Sequence, residues 1–476
     1  MMLQLRLLCA LLVAVIRRVA ASDHHLIATV DKLLSPETTQ LYESLLASLH
    51  GEAGIMFGHQ DDLAYGSFWP YVRGANFSNP PRSDVLEDTE GEFYPKVFGF
   101  DVGNIDKPDG LNVDKLYKDD INRWIRKAYS MGGIITVTMH EDNPLTGGSS
   151  WDNKNGTVRA ILPPQSNSDA PNMHKEYMQT LSKIADFFED LAPIPILFRP
   201  YHENNHVWSW WGSSACTPEE FVAVWRMTVD FFLQRDTCKH NLLFTISPQD
   251  PATLDEYFAR YPGDNYVDVF GFDGYQLWEA SKASVLGHML SDVVNHSLSL
   301  ANRSGAKPVV LSEVGTMYKY KTSSGYGPAK WWTTVLGAAL EITGYRVAYA
   351  LVWRNTYGDA DCFAPAMVPA VLTGGDGGDW PDDMGEDADI CELQDFRKFI
   401  QLSKVVMLPA PPLTNQTSSI SSSGFALQGR YALDVESMSS PSAVWWREMV
   451  VVVAAVVLAL VLGNRSTERA MAVGGV

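Results

Sequence analysis

The sequence predicts an α/β fold, a closed (β/α)8 TIM barrel, on three observations. Short β-branched or aromatic runs alternate with longer amphipathic stretches between residues 37 and 405, a pattern that predicts a parallel sheet with helices outside. The runs number eight, and eight repeats over about 370 residues fit a barrel with enlarged loops. No Gly-x-Gly-x-x-Gly follows a strand and no Gly-x-x-x-x-Gly-Lys-Ser/Thr occurs, so an open nucleotide-binding sheet would lack its phosphate cradle.

In chain order, residues 1–21 read as a signal peptide: Arg6, an apolar stretch at 7–16, and the small pair Ala20 and Ala21. Strands are expected at 55–60, 96–101, 133–140, 195–203, 242–248, 269–275, 308–315 and 347–355. Helices are expected among them at 113–131, 173–191, 218–235 and 328–342. The barrel domain is drawn over 22–405, followed by a Pro/Ser-rich linker or stalk at 406–444. The apolar run 449–463, preceded by Trp445 and Trp446, predicts a membrane anchor over 445–463, with a short tail at 464–476. Fifteen helical residues span about 22 Å against a hydrocarbon core of roughly 30 Å, so the anchor is a short one.

Lys and Arg number 37 against 56 Asp and Glu, a net charge of −19 in 476 residues that argues against a phosphate-neutralising surface. Nucleic acid is therefore not expected as a partner. The 14 Trp offer flat faces suited to a neutral polyol, although core packing also consumes aromatics. Five cysteines become four once residues 1–21 are removed, and the pairs Cys216–Cys238 and Cys362–Cys391 are expected because each closes a short loop. Sequons at Asn76, Asn155, Asn295, Asn302 and Asn415 agree with a secretory route to the cell exterior or surface.

Distinctive side chains collect at the strand ends: His59 and Gln60, Asp101, His140 and Glu141, His202 and Glu203, Asp273 and Tyr275, Glu313, and Trp353 and Arg354. In a barrel these ends converge on one face, where active sites form. Glu203 stands near Trp208, Trp210 and Trp211, whose bulk would desolvate its carboxyl, raise its pKa and keep a proton available for donation. The alternative is a strand-end glutamate paired with Arg199. Glu313 closes an apolar strand and could serve as a rigid nucleophile, or be a solvated strand end. Two opposed carboxyls with aromatic platforms are the equipment of glycoside hydrolysis.

The segment Arg199-Pro-Tyr-His-Glu-Asn-Asn-His-Val-Trp-Ser-Trp-Trp-Gly212 resembles glycoside hydrolase family 26, as do Gly58-His-Gln60, Asp273-Gly-Tyr275, Ser312-Glu-Val-Gly315 and Trp353-Arg-Asn355. That family consists mostly of clan A (β/α)8 β-mannanases. The resemblance implies a retaining endo-β-1,4-mannanase, with Glu203 as acid/base and Glu313 as nucleophile. It further implies that His202 orients the acid and that Tyr275 hydrogen-bonds the nucleophile and keeps it ionised. His140, Trp151, Trp208, Asp273, Trp353 and Arg354 would line the sugar subsites. His206 and Ser209 depart from the family pattern, where Gly and an aromatic are common, so the subsites beside Trp208 should differ in shape.

No metal or organic cofactor is expected, the partner is a polysaccharide, and the protein is expected to be a monomer. Two alternatives stay open at this level: another specificity on the same scaffold (a β-1,3-1,4-glucanase, a β-1,3-xylanase or an exo-acting mannobiohydrolase), or a silent barrel that binds polysaccharide. His59 and Gln60 are read as caps of the first strand. Trp210, Trp211, Trp331 and Trp332 are read as core, and the acidic loop 376–389 as a solvated insertion.

Overall fold

The computed structural model describes residues 28–411, apart from 68, 79, 165–171, 276–280, 316–329 and 356–393. Outside the described residues lie the segments expected as signal peptide and anchor, nearly all of the expected stalk, Cys9, Cys362, Cys391, Asn415 and the loop 376–389. Among the described residues no helix is long and apolar enough to cross a membrane.

Eight parallel strands close into a barrel: β1 (Ile55–Gln60), β2 (Val97–Asp101), β3 (Ile134–Met139), β4 (Ile196–Pro200), β5 (Leu242–Ile246), β6 (Val269–Gly274), β7 (Val309–Val314) and β8 (Tyr349–Val352). Each pairs with the next, and β8 returns to β1 with Met56 opposite Tyr349 and His59 opposite Val352. Every expected strand is present. Their residues are buried on both faces almost throughout, which is why they read as continuous apolar runs rather than alternating ones.

Helices α1 (Pro36–Ala47), α2 (Lys118–Ser130), α3 (His174–Asp190), α4 (Pro218–Leu233) and α5 (Ser281–Ser299) surround the sheet. α4 starts at a capping box in which Thr217 and Glu220 satisfy each other's backbone amides. α2 starts five residues later than the sequence suggests, because the Asn112 side chain captures the amides of Asp114 and Leu116 and holds the chain in a turn. The segment expected as a helix at 328–342 is, where described, a π-helical turn at Trp332–Gly337 followed by Ala338–Ile342. Trp331 and Trp332 are core, as expected.

Two hydrophobic clusters fill the domain. The larger joins strands to helices. In the smaller, Tyr42 and Leu45 of α1 join Val97, Leu197, Leu243, Val269, Val310 and Leu351 of the strands. The Tyr42 hydroxyl donates to the carbonyl of Ala306, just before β7, so α1 stops the barrel at its base. After the last helix, Val405–Val406 pairs with the start of β1, and Leu408–Pro409 pairs antiparallel with Phe93–Tyr94. The fold thus runs past residue 405, where the sequence reading ends the domain.

The expected pair Cys216–Cys238 is not formed, and both thiols are free. Cys216 immediately precedes α4 and Cys238 follows it, so a rigid helix about 24 Å long holds them apart. A disulfide needs Cα atoms about 5.5–6 Å apart. Cys216 is buried and receives a hydrogen bond from Arg260.

Candidate active site

The strand ends set the geometry of the barrel mouth. β4 stops at Pro200 rather than 203 because Tyr201 (φ 50°) and Glu203 (φ 54°) take left-handed backbone conformations. Such conformations cost roughly 1–3 kcal/mol for non-glycine residues and persist only where surroundings impose them. Here the Glu203 amide donates to the Ser247 carbonyl beyond β5, at 2.8 Å. Trp210 donates its indole N–H to the Glu141 carbonyl and Trp211 donates to the His202 carbonyl, at 2.8 and 2.7 Å, and both tryptophans are buried. These anchors turn the chain so that the Glu203 carboxyl enters the mouth.

One oxygen each of Glu203, Asp273 and Glu313 lie within 4.8 Å of one another. Arg199, 2% exposed, compensates this cluster: it bridges to Asp273 at 2.8 Å and to Glu313. Arg199 therefore serves the other two carboxylates, and the alternative of a Glu203–Arg199 pair is not what the chain forms. Tyr275 donates to the second Glu313 oxygen at 2.7 Å. Asp273 is fully buried, and it accepts from Ser247 and Ser312 besides Arg199. Both its oxygens accept from the protein's own groups, so Asp273 holds Arg199 in place.

Glu203 has a different setting. Burial pushes its carboxyl well above the usual range, and the charges of Glu313 and Asp273 push it further. Trp208 opposes this by donating its indole N–H at 2.8 Å. Gln249, with its amide nitrogen turned toward the acid, donates to Glu203 at 2.7 and 3.2 Å. His206 stacks on Trp208 with ring centroids 4.0 Å apart and 19° between planes, and its Nε2 donates to the Gln249 carbonyl at 3.1 Å. The residue that departs from the family pattern thus braces both donors to the acid.

Around this centre the structure brings together His140, Trp151, His202 and Trp353. The His140 ring lies 4.4 Å from His202, 5.5 Å from Trp151 and 6.2 Å from Trp353, centroid to centroid. Asp101 fixes His140 through Nδ1 at 2.7 Å. Burial, then His140 and Arg199, push His202 well below the usual imidazole range, so it is neutral. Trp151 is 53% exposed and presents an open aromatic face. Arg354 is turned toward the β1–β2 side, where it pairs with Asp114 beside Tyr65 and Asp61. His59 is buried and paired with Asp62, in keeping with a structural part.

Sequence reasoning missed Arg199 as a site residue and missed Gln249 altogether. The rule that found the others, polar residues just past a strand end, applies to Ser247 and Gln249 beyond β5. The spacing His202-Glu203-Asn204-Asn205-His206 formally matches a helical zinc motif. The segment is not helical, though, and among the described residues these histidines form no metal-binding group.

The family model for glycosyl hydrolase family 26 matches residues 33–342. A mannan endo-1,4-β-mannosidase of Bifidobacterium adolescentis is 30% identical over 356 residues, which cover 72% of this chain and 34% of that protein. The chain thus matches about a third of that relative's length. A GH26 β-mannanase from Bacteroides ovatus superposes with TM-score 0.62 at 30% identity, covering 79% of this chain and 95% of that one. The catalytic domain of a Bacillus GH26 endo-β-1,4-mannanase does so with TM-score 0.64 at 28% identity, covering 80% and 93%. With the barrel, the ordered motifs and the matched residues in agreement, this chain belongs to glycosyl hydrolase family 26.

Proposed function

We propose that the chain is a retaining endo-β-1,4-mannanase in which Glu203 is the acid/base and Glu313 the nucleophile. The observation that carries this reading is a pair of close carboxyls in opposite settings. Glu203 is enclosed and pushed upward, while Glu313 accepts hydrogen bonds from Arg199 and Tyr275. Settings this different suit one carboxyl to proton transfer and the other to nucleophilic attack. Their oxygens approach within 4.8 Å, close to the roughly 5–5.5 Å of retaining enzymes and short of the 6.5–9.5 Å that would leave room for an inverting water.

In the first step a Glu313 oxygen bonds to the anomeric carbon as the glycosidic C–O bond breaks, and Glu203 gives its proton to the leaving oxygen. In the second, Glu203 removes a proton from water. The water oxygen bonds to the anomeric carbon, and the ester bond to Glu313 breaks. His140, Trp151, His202, Trp208 and Trp353 supply walls and stacking faces for sugar rings, with Arg354 further along toward β1 and β2. Supporting the substrate class are the mannanase names of the family relatives.

The test is digestion of mannan, glucomannan, mixed-linkage glucan and β-1,3-xylan, with products resolved by size and their anomeric configuration followed by NMR. Mannan and glucomannan should give a ladder of short oligosaccharides released first as β anomers. Release of mannobiose alone would replace endo action by exo action. Cleavage of one of the other two glycans alone would replace the specificity, and α anomers would sink retention.

A pH profile provides a second check. The acid must be protonated, so activity should fall as pH rises through the raised pKa of Glu203. Trp208→Phe removes a donor that favours the carboxylate, so it should raise that pKa and move the alkaline limb upward by about one unit, a hydrogen bond to a charged group being worth about 1.5–3 kcal/mol. An alkaline limb that stays put or moves downward would contradict this role for Trp208.

Export through residues 1–21 and tethering through 445–463 belong to the same proposal. Asn76, Asn155, Asn295 and Asn302 are all exposed, as glycan acceptors must be. Detergent-dependent extraction of the intact protein would support the tether, and recovery of the intact chain from the medium would exclude it.

A further inference from the structure

We propose that Asp31, Cys238 and His240 form a zinc site at the base of the barrel, fastening the segment before α1 to the turn before β5. Asp31 lies 209 residues before His240, so no motif spacing announces the three together. One donor atom from each lies within 4.8 Å of the other two. His240 Nδ1 stands 2.8 Å from Asp31 Oδ2 and 3.8 Å from Cys238 Sγ.

The use of one ring nitrogen decides between two chemistries. A thiol, imidazole and carboxylate acting as nucleophile, base and orienter would need the thiol at one nitrogen and the carboxylate at the other. Here both face Nδ1, so the three donors converge on a common point, as ligands of one ion do. With Zn–S near 2.3 Å and Zn–N or Zn–O near 2.0–2.1 Å, a tetrahedral site places sulfur and nitrogen about 3.5 Å apart, and nitrogen and oxygen about 3.3 Å apart. The present spacings differ by a few tenths of an ångström. A thiolate, an imidazole and a carboxylate suit zinc far better than calcium or magnesium, and water would complete the fourth position.

The surroundings hold the donors in place. His240 has a left-handed φ of 57°, and its carbonyl accepts from the amide of Ser35, the N-cap of α1. The second Asp31 oxygen accepts from the Leu33 amide. Arg235, the guanidinium on the same side, is committed to Asp186, Glu189 and Ser182. Cys238 and His240 are partly exposed, which gives an ion a way in.

The experiment uses the untagged full chain, stripped with chelator and dialysed against zinc, then reloaded with cobalt(II). Wild type should retain about one zinc per chain. It should also show a near-ultraviolet thiolate-to-cobalt band with the intense visible bands of a tetrahedral site. Cys238→Ser should abolish the charge-transfer band and weaken zinc at least tenfold, and Asp31→Asn should weaken zinc while keeping the band. Cys216→Ser should change neither. Zinc should raise the melting temperature of wild type but not of Cys238→Ser, with circular dichroism confirming that both are folded. Equal zinc retention by wild type and Cys238→Ser, or a cobalt spectrum without the thiolate band, would overturn the site. None of these readouts involves hydrolysis, so the outcome is independent of the proposed enzymatic function.

Discussion

Glu203→Ala should slow hydrolysis of mannan by about 10²–10⁴-fold, the usual contribution of a positioned acid or base, and leave the protein folded. The informative comparison is with an aryl mannoside whose leaving group departs without a proton. On that substrate the first step should survive and the second should stall, because no base remains to activate water. The variant should then give a burst of phenol and accumulate a covalent sugar on Glu313, detectable by mass. Azide, which attacks without general-base help, should restore turnover and yield a β-glycosyl azide. The alkaline limb of the pH profile should vanish together with its titrating group. Equal losses on both substrates, with no azide rescue, would remove Glu203 from the acid/base role.

Arg199→Met should produce the largest loss of stability in the site, about 3–5 kcal/mol, the usual cost of removing one partner from a buried ion pair. The guanidinium is almost wholly buried and lies between Asp273 and Glu313. Burial pushes the Asp273 carboxyl up, Arg199 opposes that, and Glu313 adds to it. Without Arg199 the two acids are left facing each other in a dry site, so Asp273 must rise further. The sign in pH follows: the penalty should be largest near neutrality and shrink as pH falls and the acids take up protons. Denaturant unfolding of wild type and variant at pH 7 and pH 5 measures it. A penalty that is the same at both would mean that the arginine contributes packing rather than charge. Activity should collapse as well, since Glu313, the proposed nucleophile, loses its guanidinium partner.

The barrel was legible because a parallel strand enclosed on both faces writes itself as an unbroken apolar run, and its polar end residue marks the mouth. Glu203, Glu313, Tyr275, His140 and His202 stood at such ends. What could not be read was which polar groups meet across the mouth. Arg199 and Asp273 are 74 residues apart, and nothing local distinguishes an arginine that serves Glu203 from one that serves Glu313. Gln249 also stands past a strand end, but its neutral side-chain amide does not stand out there as a carboxylate or imidazole does. The Cys216–Cys238 expectation failed for a related reason: separation in sequence says nothing of distance once a straight helix occupies the interval. Asp31 beside Cys238 and His240 shows the converse, a remote position made a neighbour by closure of the barrel.

The short pairing of Val405–Val406 with β1 places the end of the described domain. Val405 lies opposite Ile55, the first residue of that strand, and Pro409 lies opposite Phe93, before β2 begins. The last described residues therefore lie at the pole of the barrel opposite Glu203 and Glu313. Residues 405–410 thus stand clear of any glycan lying in the cleft.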